Sequence, residues 1–241
     1  MSSIWIIAKK ELNTFFDALT AYVLLIIFLG MSGFFTWIYG SDVFMSGQVS
    51  MQPFFSIAYW TLSFFIPAVT MRMLAEEKRT GTIELLQTKA LSDTQIVLGK
   101  AFACLALICI ALLLTLPYYF TLTRLGEVDH GAVICGYLGL ILMSCAYIGI
   151  GLFASSISNN QIVSFLTALL IGVFFLIIFE VLSNNVGGTA AQLFHYLSIS
   201  MHFESMSRGV LDIQDITYFL LLSTCGIVLS VAVLSKRNIV E

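Results

Sequence analysis

The chain has 241 residues, 59% of them hydrophobic and only 10% charged, with a formal net charge of −3. A water-soluble domain carries about 25% charged residues. This chain has too little polar side chain to cover a water-facing surface, so a lipid bilayer is its natural solvent.

The first segment places Ile4, Ala8, Leu12, Phe15, Phe16 and Leu19 at helical spacing, with Lys9, Asn13 and Asp17 on the other face. That pattern suits an amphipathic helix lying in the membrane interface, with Trp5 as a headgroup-level anchor. The other reading makes it the first turns of span one. Six long apolar runs follow, at 18–39, 54–73, 99–120, 132–154, 162–182 and 216–234. At 1.5 Å per residue each is long enough to cross about 30 Å of hydrocarbon. A membrane barrel would instead show alternating segments of roughly ten residues. The expected fold is therefore an all-α integral membrane protein, a single domain over 1–241 with six transmembrane helices.

With six spans both termini share a side, and nine of the 11 basic residues fall there: Lys9, Lys10, Arg72, Lys78, Arg79, Lys89, Lys100, Lys236 and Arg237. Arg124 and Arg208 take the other side. The positive-inside rule then makes both termini and the loop 74–98 cytoplasmic. The turn 155–161 has no Lys or Arg, so its neighbours place it. The five cysteines all lie in spans without a Cys-x-x-Cys pair and read as packed, reduced thiols. The first apolar run is too long for a signal h-region, so no cleaved leader is expected.

The loop after span two is the one place where charges crowd: Ala75-Glu76-Glu77-Lys78-Arg79-Thr80-Gly81-Thr82-Ile83-Glu84-Leu85-Leu86. Gly81 suits a helix end in the left-handed conformation. Thr82 can cap a new short helix, with Glu84 near its positive end and Ile83, Leu85 and Leu86 on an apolar side. Ser92-Asp93-Thr94-Gln95 has the form of a capping box, so the span-three helix should start near Ser92. The island thus parses as helix end, short helix, helix start: a stiff elbow joining two spans. Pro67 and Pro117 lie inside spans two and three and can kink them, for motion or as ordinary membrane-helix prolines.

Between spans five and six, 183–215 carries a partial helical stripe of Leu193, Tyr196, Leu197 and Met201, which predicts short outer helices. His195 and His202 lack companion ligands at metal spacing, and no metal site is expected. The sequence has no phosphate-binding Gly-x-x-x-x-Gly-Lys-Ser/Thr loop, so the chain itself should not be an ATP-hydrolysing enzyme. Glu180 is the candidate intramembrane acid. Near the outer end of span five it either reaches water at the boundary or belongs to a pathway.

The run from Met71 to Leu86, followed by Leu91-Ser92-Asp93, resembles the signature of ABC-2-type transporter permeases, and most of all their gliding-motility-associated branch. Gly151-Leu152-Phe153-Ala154-Ser155-Ser156 with Asn160-Gln161-Ile162-Val163, and Ser205-Met206-Ser207-Arg208-Gly209-Val210-Leu211-Asp212, extend the resemblance nearly end to end. It implies a dimerising permease of the bacterial inner membrane, driven by two ATPase subunits on the cytoplasmic face. It implies an interfacial N-terminal helix at about 3–17 and a coupling helix at about 82–88, with small outer helices capping the pathway. The coupling residues would be Glu76, Glu77, Gly81, Thr82, Ile83, Glu84, Leu85 and Leu86. Ser156, Asn159 and Asn160 would form a second cytoplasmic contact. ATP and magnesium would sit on the partner ATPase, and no cofactor on this chain. The second membrane partner would be another copy or a subunit bearing an extracytoplasmic domain; no nucleic-acid partner is expected. Two functions follow: an export permease, or a mechanical scaffold that relays ATPase motion to an outside partner without transport.

Overall fold

A computed structural model of the protein describes residues 3–38, 49–82 and 91–240. Every regular element among the described residues is helical. In lipid every backbone amide and carbonyl must be bonded within the protein, and a helix does this within one segment.

Helix α1, Ser3–Asp17, precedes α2, Thr20–Trp37. Leu19 between them has φ 57°, a left-handed conformation that breaks the helix. The N-terminal segment is therefore a separate helix and not the first turns of span one. Its apolar side is buried through Ile7, Ala8 and Phe15, while Lys9, Asn13 and Asp17 are exposed.

Span two is α3, Gln52–Thr70, and α4, Ala75–Thr80. Span three is α5, Asp93–Leu113, and α6, Leu116–Leu125. The expected helix starts near Ser92 and runs through the apolar stretch 99–120, with Pro117 able to kink it. The structure instead interrupts the span at Leu114 and Thr115, and Pro117 opens the following helix. Proline is tolerated in a first turn, where its missing N–H has no partner to lose. Span four is the continuous α7, His130–Ile157. Span five is α8, Gln161–Val173, a π-helical turn at Phe174–Ile178, and α9, Phe179–Asn185. Two short helices, α10 at Thr189–Leu197 and α11 at Ile199–Ser207, lead to span six, α12, Ile213–Val240. The Ser92 capping box is present, with Gln95 N donating to Ser92 Oγ and Ser92 N to Gln95 Oε1, both at 3.3 Å.

Span four is the hub. Over its most apolar 18 residues 67% are buried, as are 61% and 56% in spans two and three, against 28% for spans one and five and 22% for span six. Spans two, three, five and six and helix α11 all pack on it. Its contact with span six is backbone to backbone. A Cβ on Gly226 would lie 2.4 Å from the carbonyl carbon of Gly149, so only glycine fits. Lipid offers no hydrophobic drive between helices, and small residues gain stability by letting backbones approach.

Helices α10 and α11 are pinned to span six by a buried pair. His202 Nδ1 lies 2.6 Å from Asp215 Oδ1, and the imidazole stacks on Tyr218 with ring centres 4.2 Å apart. His202 Nε2 lies 3.1 Å from the Tyr196 carbonyl. His202 is thus a packing residue.

Candidate functional site

The described part of the charged island, 75–82, forms a braced joint at the end of the bundle that carries α1. Span two loses its helix between α3 and α4. Across that gap the amides of Leu74 and Ala75 both donate to Ser155 Oγ on span four, each at 3.0 Å. The same hydroxyl donates to the Met71 carbonyl at 3.0 Å. A serine hydroxyl has one donor and two acceptor sites, so Ser155 is used to capacity and is fully buried. One side chain thus satisfies the backbone groups that the interruption frees. Lys78 adds a second tie, donating to the carbonyl of Ser156.

A buried ion cluster braces the joint from the other side. Lys100, 1% exposed, sits in the first turns of span three. Its Nζ lies 2.7 Å from Glu77 Oε1 on the elbow and 3.2 Å from Glu11 Oε1 on α1. Lys10 stands 3.6 Å from the same Glu11 oxygen. Two carboxylates around one buried ammonium compensate its lost hydration. Arg72 completes the clamp. It donates to Thr20 Oγ1 at 2.9 Å, and its guanidinium lies 5.1 Å from the centre of the Phe15 ring. Lys10, Glu11, Arg72, Glu76, Glu77 and Thr82 line a cavity of about 460 Å³ beneath the joint. A displacement of the elbow therefore loads α1, span three and span four together.

The sequence-expected residues distribute unevenly over this joint. Glu77 is in the ion cluster, and Glu76 and Thr82 line the cavity. Gly81 ends α4 at φ 71°, the expected left-handed stop. Ile83, Glu84, Leu85 and Leu86 lie outside the described residues. Ser156 is buried, and its carbonyl is held by Lys78. Asn160 Oδ1 caps α8 by accepting from Ile162 N at 2.9 Å, while Asn159 is exposed. Glu180 is remote from the joint, at the other end of the bundle. It lines a separate cavity, and its Oε2 accepts from Ser200 Oγ at 2.5 Å.

Sequence reading missed Ser155, Arg72, Glu11 and Lys100 as functional groups. Among the described residues Glu11, Lys100 and Asp215 are buried, while Glu180 is half-buried. Two signals pointed to the cluster. Glu11 falls on the apolar stripe of α1, one turn after Ile7 and one before Phe15. Lys100 lies inside an apolar run, where an ionisable residue needs a partner.

No curated protein matches the chain. The model of the ABC-2 family transporter protein matches residues 6–235. With nearly the whole chain covered, and six helices apolar and long enough to cross a membrane, the chain belongs to the ABC-2 family of transporter proteins.

Proposed function

We propose that this ABC-transporter membrane subunit is an export permease, driven through its elbow by a separate ATPase pair. The observation that carries the reading is the brace formed by Ser155, Lys100, Glu77 and Glu11. Force from ATP hydrolysis must enter a membrane bundle through a small, stiff contact. The elbow is held to span four by three bonds through Ser155 and to span three and α1 by Lys100. A push on it is thereby spread over the bundle and not absorbed by a loose loop.

The coupling helix is the segment 82–88, with Glu84 capping it or pairing with a basic residue of the ATPase. The turn around Asn159 and Asn160 is the second contact. Both termini and the joint face the cytoplasm of a bacterial inner membrane, as the distribution of basic residues indicates. ATP and magnesium belong to the ATPase. The permease works as a pair, with a second copy or with a related membrane subunit bearing an extracytoplasmic domain, as in the gliding-motility-associated branch.

The test is a complex of this chain with its co-expressed ATPase, reconstituted in proteoliposomes. Glu84→Ala and Gly81→Val are expected to weaken ATPase binding or to leave hydrolysis running without transport. Wild-type binding and transport in both variants overturns the coupling assignment. Hydrolysis that moves the outer helices without moving any solute favours the mechanical scaffold instead.

A further inference from the structure

The end of the bundle opposite the joint holds a cavity of about 550 Å³ between the outer ends of spans two and five and helix α11. That volume lies in the range of small-molecule sites. Three features of its lining point to one kind of ligand.

The first is an uncompensated charge. Glu180 has no Lys, Arg or His within 4.0 Å among the described residues, and its one hydrogen-bond partner there is Ser200. The other acid, Glu204, has its own counter-ion in Arg208, 3.6 Å away. The cavity therefore carries one negative charge in excess, at the rim of the bilayer, where a bare carboxylate is costly.

The second is an aromatic wall. Tyr59 and Phe203 stack with ring centres 5.0 Å apart and planes 13° apart, and Trp60 stands beside them, 44% exposed. Aromatic faces hold apolar bodies and attract cations through their quadrupole.

The third is an underbonded hydroxyl. Tyr59 is 7% exposed, and its buried hydroxyl is underbonded, with Ser200 beside it as a poorly aligned partner. Ser200 donates to Glu180 and pairs with Ser198 at 2.9 Å, so toward Tyr59 it can only accept. A buried polar group left underbonded costs free energy, and such exceptions need a cause.

The backbone supports the same reading. The π-helical turn Phe174–Ile178 ends directly before the helix that carries Glu180. Such a turn inserts an extra residue and shifts the register of all that follows, and these turns recur at functional sites.

From this geometry we infer that the cavity binds an organic monocation, a protonated amine carrying an apolar body. The ammonium would donate to Glu180 and lie against the aromatic wall, and the Tyr59 hydroxyl would gain a partner in the occupied site. The inference rests on the permease reading only for calling this the outer face and for making the amine a transport substrate.

Binding is measured on the full chain in lipid nanodiscs without ATPase, with radiolabelled phenethylammonium as probe and empty nanodiscs as blank. The expected result is saturable binding, displaced by unlabelled phenethylammonium but not by 3-phenylpropanol or 3-phenylpropionate. Glu180→Gln, which keeps the side chain's size, should weaken it roughly 10- to 100-fold, the worth of a charge-assisted hydrogen bond. Tyr59→Phe should weaken it about three- to tenfold. Glu127→Gln, at an exposed acid that does not line this cavity, should stay within about twofold of wild type. If Glu180→Gln does not elute as a folded chain, Tyr59→Phe decides. Binding no greater than to empty nanodiscs, equal displacement by the alcohol, or wild-type affinity in Glu180→Gln or Tyr59→Phe overturns the inference. Because no ATPase is present, such a failure leaves the coupling reading standing. A failed coupling experiment equally leaves the binding result standing.

Discussion

The hydroxyl of Ser155 on span four stands 3.0 Å from the amide of Leu74 on span two, inside a fully buried contact. With the Ala75 amide and the Met71 carbonyl on the same oxygen, the gap in span two is closed by a neighbouring helix and not by its own chain.

Ser155→Ala removes that closure. Two amides and a carbonyl then lose a buried partner, and each buried group left unsatisfied costs about 1–3 kcal/mol. The expected outcome is a clear drop in the midpoint of thermal unfolding in detergent, together with faster proteolysis at the elbow. An unchanged midpoint would show that the gap is solvated or re-bonded without the serine.

Lys100→Met should be worse than its loss of one ion pair suggests. It leaves Glu11 and Glu77 facing each other with no cation between them. Breaking a buried pair from one side costs about 3–5 kcal/mol, whereas replacing all partners by neutral groups is often nearly neutral. The triple variant Lys100→Met, Glu11→Gln, Glu77→Gln is therefore expected to recover most of the lost stability. Unfolding midpoints of the single and triple variants decide it. A triple variant no more stable than Lys100→Met contradicts the electrostatic account.

Gly226→Ala tests the backbone contact of spans four and six. The added methyl would meet the backbone of Gly149 at 2.4 Å, and overpacking of this kind costs about 1–3 kcal/mol. Gly30→Ala on span one is the control, since nothing lies within 4 Å of its Cβ position. Unfolding in a denaturing detergent series should separate the two. Equal midpoints would show that span six can shift to make room.

Orientation is open to direct labelling. In a background with the five native cysteines replaced, Gly126→Cys and Thr189→Cys should react with a membrane-impermeant maleimide added outside intact cells. Arg79→Cys should react only after the cells are opened. The reverse pattern inverts the topology.

What was legible in the sequence was local. The six spans show as unbroken apolar runs. The left-handed stop at Gly81 and the capping box at Ser92 are written in residues one to three positions apart. What was not legible depends on partners far along the chain. Lys100 meets Glu77 and Glu11, 23 and 89 residues away. Ser155 reaches back over 80 residues to the Ala75 amide. Its role was invisible because a serine near a helix end ordinarily bonds within its own turn. Pro117 signalled a disturbance in span three, but its placement in the first turn of a new helix, after a break at Leu114 and Thr115, was not legible. The π-helical turn lies in the run Phe174-Phe175-Leu176-Ile177-Ile178, which carries no breaker to announce it.

The close meeting of Gly149 and Gly226 also bears on how the subunit is made. Span six leaves the ribosome after span four has entered the bilayer. Without span six the groove at Gly149 would stand open to acyl chains, and docking of the last span would exchange lipid for backbone. Chains that fill the groove well compete with that step. The rate of maturation should therefore follow the fluidity of the host membrane, with stiff, saturated bilayers holding newly made copies in a five-span intermediate for longer.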